Sequence, residues 1–179
     1  MVHKKKKLET YIKLLKDYNE HTNIYSKKAY DVLEFHIQDS LTLAKIITNS
    51  PTTLFDFGSG SGLPSIPIAI QNDQNTIYAI ESKSRKTRFL KTVKQELNLN
   101  NISIVHQNLF EWTPLKSPHI ITAKAFASLE KIETIIKKLH LKNVTIYIPI
   151  SKNQQEIYKN NKSVTFITNN NYVYLKKTI

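Results

Sequence analysis

The stretch Leu54-Phe55-Asp56-Phe57-Gly58-Ser59-Gly60-Ser61-Gly62-Leu63-Pro64 carries all three glycines of a 179-residue chain. Glycine accepts positive φ and lets another molecule come close to the main chain. Here an apolar run ends in Asp56, the glycines follow, and Pro64 stands where a helix can begin. The first helical turn has no internal partners for its N–H groups, so proline is tolerated there. The stretch reads as strand, tight turn and helix N-terminus, an arrangement that suits the polar part of a nucleotide-like ligand.

On either side of this stretch, strand candidates fall at Thr53–Phe57, Thr76–Ile80, Ile102–His106, His119–Ala123 and Val144–Ile148, with helices at about 64–71, 83–97 and 129–140. Strands alternating with helices predict a doubly wound α/β sheet, mostly parallel and Rossmann-like. After Ile150 comes a short polar helical stretch, then Val164–Ile167 and Tyr172–Leu175 as a C-terminal antiparallel hairpin. Upstream, Leu8, Tyr11, Ile12, Leu15 and Tyr18 mark one face of a helix over about 5–19. A second helix covers Asp31 to Ile47 and is expected to end at Ser50-Pro51. The expectation is one domain over 1–179, in which residues 1–50 form an N-terminal helical extension and 51–179 an α/β core.

Composition narrows the chemistry. With no cysteine, disulfides, thiolate zinc sites, iron–sulfur clusters and cysteine nucleophiles are excluded. The six histidines are scattered without ligand spacing, so no metal is expected. No apolar run of about 18 residues exists, so no membrane span is expected, and Met1 to Lys7 does not read as a secretory signal. A cytoplasmic protein is expected, a monomer being the simplest form. The formal net charge is +12, which favours a polyanionic partner, nucleic acid above all. Yet only two of the 26 basic residues are arginine, and the chain is rich in Lys, Asn and Ile, a composition that an AT-biased genome would produce with no polyanionic partner; that is the alternative reading of the charge.

The ligand of the glycine loop follows by elimination and then by resemblance. A P-loop needs Gly-Lys-Ser/Thr after four spacers, which is absent. The dinucleotide fingerprint needs a third glycine where Leu63 stands. Asp-x-Gly-x-Gly-x-Gly resembles motif I of class I S-adenosylmethionine (SAM) methyltransferases. Glu81 ends the second strand candidate 19 residues after Gly62, the kind of spacing at which a carboxylate accepts both ribose hydroxyls; the alternative is a solvated strand end. Asp56 either supports the SAM site or caps the turn.

Beyond that loop the chain resembles one family from about Leu14 to Lys177: the RsmG (GidB) 16S rRNA guanine-N7 methyltransferases. The segments that carry the resemblance are His36-Ile37-Gln38-Asp39-Ser40-Leu41, the glycine loop continued through Leu63-Pro64-Ser65-Ile66-Pro67-Ile68-Ala69-Ile70, Glu81-Ser82 with Lys86, Arg88-Phe89-Leu90 and Val93, and Ala125-Phe126-Ala127-Ser128-Leu129. The resemblance implies a class I SAM-dependent fold, SAM as cofactor and the 16S rRNA of the small ribosomal subunit as partner. It also implies a SAM pocket at Gly58, Leu63, the backbone around Leu109 and Phe110, and Lys124; with Asp56, Gly60, Gly62 and Glu81 these are the expected cofactor-binding residues. For Leu109 and Phe110 ordinary core packing is the alternative. Three departures stand out: Lys124 where the family usually has arginine, which loses the planar two-pronged donor; Tyr147-Ile148-Pro149-Ile150-Ser151 where it typically reads Ala-Leu-Lys-Gly; and Ser65 in place of a usual glycine.

The chemistry is also bounded by what is missing. C5 methylation of a pyrimidine proceeds through a cysteine adduct, and no cysteine is present. The Asn/Asp-Pro-Pro-aromatic motif common in exocyclic-amine methyltransferases is replaced by Thr122-Ala123-Lys124-Ala125-Phe126. Guanine N7 has an in-plane lone pair and no proton, so alignment and water exclusion suffice and no general base is expected. Lys124 is the positioning candidate, touching a phosphate or the SAM carboxylate; a snorkelling surface lysine is the alternative. His36, Asp39 and Ser40 serve the substrate or a polar core and are left out of catalysis. Lys83, Arg85, Lys86, Arg88, Lys91 and Lys94 make the helix after Glu81 basic, either as a solvated face or as an rRNA contact. Two further functions stay open: a non-catalytic SAM- or RNA-binding relative, and a SAM-dependent enzyme acting on a small molecule.

Overall fold

A computed structural model describes residues 2–47 and 51–179. Its centre is a seven-stranded sheet: β1 (Thr53–Phe57), β2 (Thr76–Glu81), β3 (Ile102–His106), β4 (Ile120–Thr122), β5 (Thr145–Ile150), β6 (Thr165–Asn169) and β7 (Tyr172–Thr178), in the order β3-β2-β1-β4-β5-β7-β6. β1, β2, β3, β4 and β5 pair in parallel, whereas β7 lies antiparallel between β5 and β6. The expected doubly wound sheet with a terminal hairpin is therefore present, and the last strand in sequence is an interior strand in space.

Alternation along β1 sorts its side chains between two cores, as a pleated strand covered on both faces requires. Leu54 packs with the helices on one face, Phe55 and Phe57 on the other. The first face is covered by α1 (Val2–His21), α2 (Leu33–Ile47), α3 (Ser65–Gln71) and α4 (Ser84–Glu96); the second by α5 (Leu129–Lys138). Tyr11 and Leu15 of α1 and Leu43 of α2 are fully buried there, so the N-terminal helices share a core with α3 and α4.

Several boundaries move, each for a local reason. The first helix runs to His21 because Asn19, itself buried, turns its side chain onto the chain beyond: Oδ1 accepts from the N–H groups of Ile24 and Tyr25. The stretch expected to open the second helix at Asp31 is the end of a 3₁₀ turn over Lys27–Val32. The expected stop at Ser50 lies outside the described residues. β5 begins one residue later and continues through Pro149 to Ile150; the β4 ladder stops at Thr122 opposite Tyr147, so Pro149 meets no β4 strand beside it. The polar helix α6 (Lys152–Tyr158) opens with a capping box in which Ser151 and Gln154 exchange hydrogen bonds.

Candidate functional site

The sheet reverses its strand order between β1 and β4, and the crevice outside their carboxyl ends is where an open α/β sheet binds ligands. The glycine loop leaves β1 at that crevice. Gly58, Gly60 and Gly62 have φ of 69°, 58° and 96°, a region other residues enter at a cost. The N–H groups of Gly58 and Ser59 both donate to Ile80 O at 3.0 Å, tying the loop to β2. A Cβ on Gly58 would overlap the Phe126 ring, so that glycine is also a contact surface. Beneath the loop, Tyr11 Oη donates to Ser61 O at 2.8 Å. This anchor from α1 was not legible in sequence, where Tyr11 reads as one more apolar-face residue.

Asp56 points away from the crevice. It is 1% exposed, and its Oδ1 accepts from Thr122 Oγ1 at 2.8 Å, joining β1 to β4. Burial pushes its carboxyl above the usual range, opposed chiefly by the Thr122 hydroxyl. Asp56 Oδ2 and Ser65 Oγ are both buried and make no hydrogen bond of good geometry, although the Ser65 hydroxyl lies close enough to the carboxyl to oppose the upward shift as well. Ser65, in the position of the family's usual glycine, thus lies wholly inside the protein at the start of α3.

A cavity of about 330 Å³ opens over the loop, walled by Gly58, Glu81, Asn108, Leu109, Phe110 and Phe126. Glu81 is 6% exposed, which removes the solvated-strand-end reading. Its Oε2 accepts from Gly60 N at 2.9 Å and its Oε1 from Lys83 N at 2.7 Å. Each carboxylate oxygen keeps a further lone pair. Two remaining acceptor sites on a buried carboxylate in a cavity wall match a vicinal diol, so the residues present fit the ribose of SAM. Phe110 lines the same cavity: its N–H donates to Asn108 Oδ1 at 3.1 Å, and Lys138 Nζ donates to its carbonyl. Gly60, Gly62 and Leu63 lie in the turn below without lining this cavity, Leu63 packed in the core with Ile66.

Lys124 departs from expectation. It follows β4 as foreseen, but it lines a second cavity of about 430 Å³, not the first. Its Nζ donates to Asp39 Oδ2 at 2.6 Å, with side-chain exposures of 15% and 7%. The snorkelling-lysine reading fails, because a surface lysine would not sit in a largely buried ion pair. His36 and Asp39 line the same cavity; Ser40 instead bonds back to His36 O at 2.8 Å, a polar-core role. His36 Nδ1 meets Tyr25 Oη at 2.7 Å, and burial, with Lys124 nearby, lowers its pKa. The α2 segment is held in turn by Tyr174 Oη, which donates to Asp39 O at 2.8 Å.

The basic residues of α4 are spread over an accessible face: Arg85, Arg88 and Lys91 are exposed, Lys86 and Lys94 half-buried. Among the described residues no group of three or more acidic or imidazole side chains could hold a metal ion, and no helix is long and apolar enough to cross a membrane.

Solved structures with this architecture include a SAM-dependent methyltransferase from Aquifex aeolicus (TM-score 0.62, 14% identity, covering 83% of this chain and 92% of that one). A methyltransferase from Geobacter sulfurreducens is similar over 95% of this chain and 88% of its own (TM-score 0.64, 11% identity). At that identity the likeness fixes the fold alone: a class I SAM-dependent methyltransferase fold. In sequence, the chain is 36% identical over 163 residues to the ribosomal RNA small subunit methyltransferase G of Brachyspira hyodysenteriae, covering 88% of this chain and 78% of the relative. Against the protein of the same name in Pseudomonas putida it is 34% identical over 125 residues, 69% of this chain and 58% of the relative; the chain thus spans a little over half the length of the Pseudomonas relatives. A family model described as rRNA small subunit methyltransferase G matches residues 4–178, and on that near-complete match the chain belongs to the GidB family.

Proposed function

We propose that this chain is a SAM-dependent methyltransferase that modifies N7 of a guanine in the 16S rRNA of the small ribosomal subunit. The observation that carries the reading is Glu81, a buried carboxylate with two acceptor sites left over, in the wall of a cavity at the sheet's switch point beside the glycine loop. Family membership gives the RNA class, and relatives named for small-subunit rRNA methylation support it.

In this reading Gly58, Gly60, Gly62 and Leu63 shape the turn against which the cofactor lies, and Glu81 accepts the ribose hydroxyls. Leu109 and Phe110 flank the adenine through their position past the carboxyl end of β3. Asp56 braces β1 against β4 from below. Lys124 positions Asp39. When bound, the cofactor supplies an electrophilic methyl group on a sulfonium. Guanine N7 carries no proton, so the protein abstracts none; its work is to align the base, exclude water and screen charge. The basic face of α4 meets the RNA backbone, and the protein acts as a single-domain monomer in the cytoplasm.

The test uses labelled SAM with small ribosomal subunits lacking the modification, followed by nucleoside digestion. Labelled 7-methylguanosine is the expected product. Label in another nucleoside would overturn the N7 assignment, and no label despite SAM binding would move the chain to a binding role.

A further inference from the structure

We propose that the second cavity receives the target guanine and that Asp39 reads its Watson–Crick edge, an inference that rests on the guanine-N7 reading above. Both purines present N7, so a site that only aligned N7 with a methyl donor would not tell guanine from adenine. Discrimination has to come from another edge of the base. Guanine offers N1–H and the N2 amine as adjacent donors there, whereas adenine offers a bare N1 acceptor.

The second cavity has what that edge requires. It adjoins the first across Ala125, which lines both and stands in the left-handed region at φ 49°. A base with N7 turned toward the first cavity would project its opposite edge into the second. Asp39 is there, almost wholly buried; Oδ2 is taken by Lys124 at 2.6 Å, while the neighbouring Tyr174 hydroxyl donates to the main-chain O of Asp39, which leaves Oδ1 as the acceptor for the base. The Lys124 ammonium, 2.6 Å away, offsets the charge of that carboxylate against the approaching RNA phosphates. A volume of about 430 Å³ is within the range of a small-ligand pocket. Phe35 and Tyr172 meet at the lining with centroids 4.9 Å apart, and Phe35 is 45% exposed. An exposed ring beside a polar cavity is a stacking platform for a base extruded from its helix.

The same contact favours reaction as well as recognition. As N7 becomes alkylated the ring gains positive charge and N1–H becomes a stronger acid. Its hydrogen bond to a carboxylate therefore tightens in the transition state, the differential binding that accelerates a step. Asp39 thus supplies stabilisation without removing a proton.

The test is equilibrium binding by calorimetry, with S-adenosylhomocysteine present, of a short single-stranded RNA with one guanine and the same RNA with inosine there. Inosine keeps N7, O6 and N1–H but lacks the N2 amine. Wild-type protein is expected to bind the inosine RNA about tenfold more weakly, the loss of one hydrogen bond to a charged acceptor. In Asp39→Asn the two RNAs should bind within about twofold of each other, because the carboxylate that senses the amine is gone. Equal affinities in the wild type, or an undiminished inosine penalty in the variant, overturn the assignment. If Asp39→Asn does not fold, Phe35→Ala decides: about tenfold weaker binding of both RNAs is expected from the lost stacking, and an unchanged affinity overturns it. No methyl transfer is needed for these readings. Transfer to N7 without an inosine effect sinks the pocket and leaves the activity; the reverse result sinks the activity and leaves the pocket.

Discussion

Replacing Glu81 by glutamine separates the two jobs assigned to that carboxylate. In the wild type both oxygens accept main-chain N–H groups, from Gly60 at 2.9 Å and Lys83 at 2.7 Å, in a position 6% exposed. Glutamine has the same shape but only one oxygen. Its amide nitrogen must face one of the two N–H groups, leaving that buried donor unpaired and weakening the other bond, at a cost of about 2–3 kcal/mol. For a chain of this length that corresponds to a fall in Tm of roughly 5–10 °C by scanning calorimetry. Cofactor affinity should fall as well, because the amide cannot accept from both ribose hydroxyls; loss of one charged hydrogen bond corresponds to a roughly 10- to 100-fold rise in the Kd for SAM. The two readouts test different claims. An unchanged Tm would refute the loop-holding role, and an unchanged Kd at saturable SAM would refute the ribose role.

Further outcomes follow from the same contacts. Lys124→Ala strands the buried Asp39 carboxylate, so stability should fall by about 3 kcal/mol in urea unfolding, with turnover at least about tenfold lower; Lys124→Arg, which restores the residue usual in the family, should keep both, and unchanged kinetics in the alanine variant would remove Lys124 from the site. Tyr11→Phe deletes the hydroxyl that reaches Ser61 O and should cost about 1 kcal/mol together with a weaker SAM Kd; a change in neither would show that α1 does not support the loop. Because burial lowers the pKa of His36, its contribution to stability is full above about pH 6.5 and is lost as pH falls through the lower folded value. His36→Gln should therefore flatten the decline of Tm between about pH 7 and pH 5, and an unaltered profile would refute it. Reversing Arg88 and Lys91, both exposed on α4, should flatten the plot of log affinity for RNA against log salt; an unchanged slope would make that face merely solvated.

What the sequence showed and hid divides along physical lines. β1 and β3 were placed to the residue because each is a short apolar run bounded by turn residues. β7 was placed too short: Lys176, Lys177 and Thr178 look like a polar tail, yet all three pair with β5 and Lys176 also with β6, and Lys177 pairs with Glu133 of α5. The glycine loop and Glu81 were legible because both are local, a turn and a strand end. Family membership and fold were legible through several ordered segments, and the match over residues 4–178 agrees with them. Nothing in the order of residues linked Lys124 to Asp39, 85 positions apart, or Tyr11 to Ser61, 50 apart. Those pairs arise only once α1 and α2 settle on the sheet. Phe126 belongs to a segment that carries the family resemblance, but its contact with Gly58 depends on the course of the loop after β4.

The interior position of β7 makes this protein unusually intolerant of a premature stop. A chain halted before Tyr172 would have β5 with an open edge and β6 with no strand to join, since β7 is the neighbour of both. It would also lack the Tyr174 hydroxyl that holds Asp39 in place. Such a product keeps the glycine loop and Glu81 but presents bare strand edges, the template for self-association. A stop ahead of the codon for Tyr172 should therefore yield aggregated or degraded protein, not a shortened enzyme with partial activity.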